Sequence, residues 1–244
     1  MRAALATLTR FPVGGTIGTE PGAAWFAVVG ALVGVTGLVG LEVARPLPLL
    51  GALLAVGAMA IVTGGLHLDG LADTADALVA PDPATADRAR KDPALGVAGG
   101  AALWMVLALE VVGLWSVSLG AGAFAAGIVC VTAGACSRAV AVAVARSARN
   151  RASDGWGGRF AREVTGRAAG VAAIAALGIV ALATLATTPS IAAGALIGTA
   201  VGVTLGLWLV RARRQLDGDG LGAIVELTFC AIVVATALAA AWVA

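Results

Sequence analysis

Residues 168–210 read AAGVAAIAALGIVALATLATTPSIAAGALIGTAVGVTLGLWLV, 43 consecutive positions without an Asp, Glu, Lys, Arg or His. A helix needs about 20 apolar residues to cross a bilayer, so this stretch supplies two spans, 168–187 and 190–210, joined by a short turn at Thr188-Pro189. The rest of the 244-residue chain agrees: 60% of it is hydrophobic and only 12% charged, and the mean hydropathy is +0.98. A soluble protein of this size needs a charged shell, which this composition cannot provide. The chain reads as one integral-membrane domain over residues 1–244. Its apolar content is mostly Ala, Val, Leu and Gly, so close helix packing in lipid is expected.

The same window places further spans near 22–44, 47–66, 94–118, 121–145 and 221–243, about seven in all. Short turns at Arg45-Pro46-Leu47-Pro48, around Gly120 and at Thr188-Pro189 alternate with long polar connections. Arg2, Arg10, Arg88, Arg90, Lys91, the cluster from Arg146 to Arg167, and Arg211, Arg213 and Arg214 all fall on one side. Positive residues stay in the cytoplasm, which predicts a cytoplasmic N-terminus and long loops, and a C-terminus outside. Arg2 and Arg10 are not followed by an apolar run fit for a signal peptide, so no cleavage is expected. A net charge of +2 with scattered basic residues excludes nucleic acid as a partner. Cys130, Cys136 and Cys230 lie in apolar runs at spacings that match no metal site and read as small core residues.

Where the second span ends, the chain reads Thr63-Gly64-Gly65-Leu66-His67-Leu68-Asp69-Gly70-Leu71-Ala72-Asp73-Thr74-Ala75-Asp76. Asp69, Asp73 and Asp76 stand at i, i+4 and i+7, within an arc of about 60° on one helix face. Three carboxylates so close repel one another unless a cation sits among them. Mg²⁺ suits such a row, because it takes a few protein oxygens and leaves the remaining positions to water and phosphate. Gly64, Gly65 and Gly70 would let the backbone approach a bulky ligand.

A second acidic segment, Asp217-Gly218-Asp219-Gly220-Leu221-Gly222-Ala223-Ile224-Val225-Glu226, opens the last span. Asp219 is placed to cap that helix, and Glu226 shares its face two turns deeper, where an ionisable group implies function. A pairing of Glu226 with Arg138 is an equal alternative. Arg138, inside the fourth span, needs a carboxylate or phosphate partner. Lys91, the only lysine, beside Asp92, is either a phosphate-binding point charge or an interfacial anchor. His67 is either a proton acceptor or a hydrogen-bonded histidine at a helix end. The basic, glycine-rich loop Arg149–Arg159 is either a mobile lid over an anionic substrate or a plain cytoplasmic loop. Glu110, in mid-span, has no partner evident from the sequence.

Taken together, Thr63 to Asp76 closely resembles the signature of cobalamin synthase, the adenosylcobinamide-GDP ribazoletransferase family. Thr9-Arg10-Phe11-Pro12-Val13, Lys91-Asp92 to Gly96, Ser137-Arg138, and Gly218-Asp219 through Glu226-Leu227 match in the same order. The resemblance departs at Ala77, where the family has glycine, and at Asp217, where it has threonine. It implies a multi-pass enzyme of the bacterial cytoplasmic (inner) membrane, with its active site facing the cytoplasm and requiring Mg²⁺. Its substrates would be adenosylcobinamide-GDP and α-ribazole or the 5′-phosphate of α-ribazole. Beyond these and the lipid bilayer, the expected partners are further copies of the chain or other late enzymes of the pathway.

In this reading Asp69, Asp73, Asp76 and Asp219 hold the metal. Lys91, Asp92, Arg138, Gly64 and Gly65 contact substrate, and Asp219, Glu226 or His67 accepts the hydroxyl proton. A CDP-alcohol phosphotransferase performs related chemistry, but keeps its acids in one continuous stretch with an Ala-Arg step that is missing here. A secondary transporter would use Glu110, Arg138 and Glu226 as midplane charges, whereas the acids of this chain gather at one membrane face.

Overall fold

The computed structural model describes residues 1–13, 22–82, 85 and 94–243. Lys91 and Asp92 lie outside the described residues. Every long element is a helix: α1 (Arg2–Leu8), α2 (Phe26–Val43), α3 (Pro48–Thr63), α4 (Leu66–Val79), α5 (Val97–Ser147), α6 (Trp156–Glu163), α7 (Gly166–Ala186), α8 (Pro189–Arg213) and α9 (Gly218–Val243). Five of the helices in the described residues are long and apolar enough to cross a membrane. The pair α3 and α4, bent by 91°, makes a sixth if taken as one broken span. The protein is thus an all-helical, polytopic membrane protein.

α5 has 51 residues, about 76 Å at 1.5 Å per residue, more than twice the hydrocarbon thickness of a bilayer. It breaks at Gly122, whose φ of 88° and ψ of 162° are non-helical. Glu110 and Arg138, which a straight helix would hold about 42 Å apart, line the same small cavity. The helix therefore folds back at Gly122 into two arms, close to the turn expected around Gly120.

Small residues set how the helices pack. A Cβ on Gly30 would collide with the backbone of Gly134, and one on Gly34 with Cys130, so α2 crosses the second arm of α5 backbone to backbone. On α8, Gly194, Gly198, Gly202 and Gly206 recur every four residues and face Thr236, Ile232, Thr228 and Ile224 of α9. This is the small-residue packing that drives helix association in lipid, where burial of apolar side chains contributes little. Cys130, Cys136 and Cys230 are buried and unpaired, as expected.

The corner between α3 and α4 positions the site. Gly64 and Gly65 both have left-handed φ, 64° and 70°, a conformation that costs glycine nothing. Their amides bond back to Ile61 and Ala60, at 3.1 and 2.9 Å, and close the end of α3. The chain then restarts as α4 at right angles, carrying the three aspartates. The two glycines expected to approach a ligand thus also make this corner.

Candidate active site

Two cavities meet at the first acidic segment. The larger, of about 860 Å³, is walled by Arg10, Gly64, Gly65, Asp69 and Asp73 among others. The smaller, of about 380 Å³, is walled by Phe26, His67, Asp69, Trp156, Phe160 and Asp219 among others. Asp69, together with Leu66, Ala6 and Thr7, lines both. Volumes of this size suit small-molecule ligands.

The two acidic segments, about 150 residues apart in sequence, come into contact through their glycines. An added Cβ on Gly70 would lie 2.8 Å from the Asp219 carbonyl oxygen and 3.2 Å from the Gly222 Cα. One on Gly222 would lie 3.2 Å from the His67 carbonyl oxygen. α4 and α9 therefore touch along their backbones, which brings Asp69 and Asp219 onto the wall of one cavity. Asp69 is exposed, and Asp73 and Asp219 are half-buried.

Asp76 has a different setting. One of its carboxylate oxygens accepts the Gly96 amide at 2.9 Å, and the other accepts the Gly99 amide at 2.8 Å. It ties α4 to the first turn of α5, where free amides and the helix dipole favour a negative charge. Among the described residues no group of three His, Cys, Asp or Glu side chains is arranged to hold a metal ion. The four-aspartate set expected from the sequence is thus not assembled as one cage. Asp69 and Asp73 share the larger cavity, Asp219 lies on the smaller one, and Asp76 serves the start of α5.

The helix cap also differs from expectation. Asp217, not Asp219, caps α9, its Oδ1 accepting the Gly220 amide at 2.9 Å. Asp217 is buried and bonded by both oxygens to Arg213, at 3.1 and 2.8 Å. Arg213 also donates to Thr74 of α4, at 3.2 Å. The departure from the family pattern at Asp217 thus carries an ion pair that fastens the end of α8 to α4 and α9.

Arg138, Glu226 and Glu110 stand together around a third cavity of about 30 Å³. Arg138 and Glu110 are buried, and Arg138 donates to Ser137 Oγ at 3.1 Å. His67 Nδ1 is 3.9 Å from Glu226 Oε1. Neither Arg138 nor Glu226 lines the two larger cavities. Of the three residues considered as proton acceptors, Asp219 and His67 reach the smaller cavity, and Glu226 lies behind His67.

The loop considered as a mobile lid is pinned instead. Ser153 donates its amide to Leu216 at 2.9 Å, and Leu216 donates to Arg151 at 2.8 Å. Arg162 Nη1 donates to the Ala152 and Ser153 carbonyls, at 3.2 and 3.0 Å. Gly157 sits against the backbone of Gly218, at the start of α9.

Arg10 reaches the larger cavity, a placement not evident from the sequence. Its amide donates to the Val62 carbonyl at 2.8 Å, its side chain covers Gly64, and it brings a guanidinium to the larger cavity. The aromatic wall of Phe26, Trp156 and Phe160 was likewise missed, although the i, i+4 spacing of Trp156 and Phe160 in a basic loop is a usable signal.

The chain is thus a polytopic helical membrane protein with an acidic, two-lobed cavity at the ends of its spans. More narrowly, the chain belongs to the cobalamin-5-phosphate synthase family, whose model matches residues 1–237. It is 35% identical to an adenosylcobinamide-GDP ribazoletransferase of Halorubrum lacusprofundi, over 93% of this chain and 92% of that one. It is 34% identical to the enzyme of that name from Citrobacter koseri, over 83% of this chain and 81% of the other. A relative of the same name from Escherichia coli O17:K52:H18 is 33% identical, with the same coverage. No solved structure matches the chain.

Proposed function

We propose that this protein transfers the adenosylcobinamide phosphate group from adenosylcobinamide-GDP to α-ribazole or its 5′-phosphate, releasing GMP. The observation that carries this reading is the meeting of two ligand-sized cavities at Asp69, with an arginine on the larger and Asp219 on the smaller. A displacement between two bulky substrates needs such a junction, since the reacting groups must meet while each remainder keeps its own seat. In the reaction, the ribose 3′-hydroxyl oxygen of the acceptor forms a bond to the phosphorus attached to cobinamide. The bond from that phosphorus to the oxygen that leaves with GMP breaks, and the hydroxyl proton passes to a protein base.

Arg10 is placed to hold the diphosphate in the larger cavity, where a guanidinium can pair two phosphate oxygens at once. Asp219 is the base we favour, because it lines the smaller cavity directly and belongs to the helix that α4 touches. His67 lines the same cavity and is itself backed by Glu226.

Asp69 and Asp73 fit a magnesium site. They are hard oxygen donors one helical turn apart on one cavity wall, and this ion commonly uses one or two carboxylates together with substrate phosphates. When bound there, Mg²⁺ would offset the charge of the diphosphate and of the departing GMP.

Counting the two arms of α5 separately and α3 with α4 as one broken span gives seven crossings. With the basic loops inside, the site then faces the cytoplasm of an inner-membrane enzyme and the C-terminus lies outside. Purified protein given adenosylcobinamide-GDP, α-ribazole and Mg²⁺ should yield GMP and a cobalamin in equal amounts. Absence of both products from a folded preparation would overturn the reading.

A further inference from the structure

The smaller cavity has an unusual wall for a protein in which aromatic residues are only 5% of the chain. Phe26 of α2 and Phe160 of α6 are stacked, with ring centroids 4.9 Å apart and planes 20° apart. Trp156 also stacks on Phe160, at 5.5 Å and 18°. All three rings line the cavity. Phe26 and Phe160 are buried, whereas Trp156, at the outer end of the stack, is 41% exposed. Leu8, Leu66, Leu221 and Val225 complete an otherwise apolar surface. The polar side chains on this wall are Thr7, His67, Asp69 and Asp219, and Asp69 is shared with the larger cavity.

We infer that this lobe is the seat of the acceptor's base, and that Trp156 is its specificity-determining residue; the inference rests on the transferase reading above. Three near-parallel rings favour a flat aromatic ligand that continues the stack. The transferase reading offers two flat bases, guanine and the dimethylated benzimidazole of α-ribazole. Guanine carries several N–H donors and a carbonyl that each need a partner when buried, whereas most of this wall is Leu, Val, Ala, Gly and aromatic rings. The benzimidazole has no N–H, and its two methyl groups gain from the Leu and Val side chains. Seating it here keeps the ribose in the cavity that Asp69 and Asp219 line, as the reaction requires, and leaves the larger cavity with Arg10 to the nucleoside diphosphate.

The test uses the full-length protein in lipid nanodiscs, with each substrate varied in turn at saturation of the other. Stacking on an aromatic side chain is worth enough that its removal weakens base binding about tenfold or more. Trp156→Ala should therefore raise KM for α-ribazole about tenfold and leave KM for adenosylcobinamide-GDP within twofold, and Trp156→Phe should restore most of the loss. A rise in KM for the donor instead would put guanine in the lobe and overturn the assignment. No change in either KM would leave the lobe to a lipid chain and overturn it equally. Equilibrium dialysis of α-ribazole against the same preparations separates the two readings. Binding that weakens in Trp156→Ala while wild-type protein forms no GMP removes the transferase reading and keeps the seat. Normal turnover with binding unchanged by the substitution removes the seat alone.

Discussion

Replacing Gly70 by alanine tests whether the contact between α4 and α9 sets the geometry of the site. In isolation the change should stabilise α4, since alanine is favoured over glycine in a helix interior by about 0.5–1 kcal/mol. In place, however, the new methyl group would lie 2.8 Å from the Asp219 carbonyl oxygen, 3.0 Å from its Cα and 3.2 Å from the Gly222 Cα. All three are backbone atoms of a packed helix and cannot swing aside. Ordinary contact needs about 3.5 Å or more, so α9 must retreat by roughly 0.7 Å, carrying Asp219 with it. A shift of this order between reacting groups costs about 100-fold in turnover. Gly70→Ala should accordingly fold, keep the wild-type thermal midpoint to within a few degrees, and lose about two orders of magnitude in kcat. GMP release from purified protein at saturating substrates, set beside a thermal unfolding scan, measures both. Wild-type kcat in a stable Gly70→Ala protein would refute the view that backbone contact at this point fixes the acidic segments.

Four further outcomes follow from the geometry. Asp73→Asn should leave a folded protein with almost no transferase activity, whereas near-wild-type turnover at saturating Mg²⁺ would remove Asp73 from the metal site. Asp76→Ala should instead act on stability: it strips the start of α5 of two charge-assisted hydrogen bonds and should cost about 0.5–2 kcal/mol in chemical denaturation. Asp217→Ala should be more damaging, about 3–5 kcal/mol, because it leaves Arg213 buried without its carboxylate, and detergent-solubilised yield together with unfolding midpoint would register the loss. Chelation of divalent ions should abolish turnover and added Mg²⁺ restore it; activity that survives exhaustive chelation would contradict the proposed donor set of Asp69 and Asp73.

The parts of the fold legible in the sequence are those governed by local solvent preference. Apolar runs near 20 residues mark spans whatever the tertiary arrangement, and Thr188-Pro189 marks a turn because proline starts α8. The acidic segments were legible for the same reason, since carboxylates beside glycines at the ends of apolar runs are conspicuous. What each carboxylate does was not legible. Asp69, Asp73 and Asp76 share a helix face, yet Asp76 is claimed by amides 20 and 23 residues away. No spacing rule on α4 predicts that, because the partner arrives only when α5 packs. Asp217 and Asp219 differ by two positions, and the position of Arg213 one turn earlier decides which of them is buried in an ion pair. The basic loop before α6 reads as mobile from its glycines, but those glycines allow close backbone approach, and Gly157 is held against α9.

The cluster of Glu110, Arg138 and Glu226 bears on the choice between enzyme and transporter. Coupling charges in a transporter must meet water from one side and then the other. Here they surround a cavity of only about 30 Å³, walled by Val33, Val56, Met59, Leu107 and Phe229, room for a water or two and no more. Burying such groups is costly and rarely repays itself in stability, so what it secures is position. Glu110 comes from the first arm of α5, Arg138 from the second and Glu226 from α9, and His67 of α4 adjoins Glu226. Three helical segments thus converge on one small cavity, where Arg138 is bonded to Ser137. The cavity also shares Thr63 and Leu68 with the larger lobe, so these segments meet behind the wall against which the donor's diphosphate would lie. Charges that resemble a transport pathway in the sequence thus enclose, in the structure, a space too small to pass a substrate.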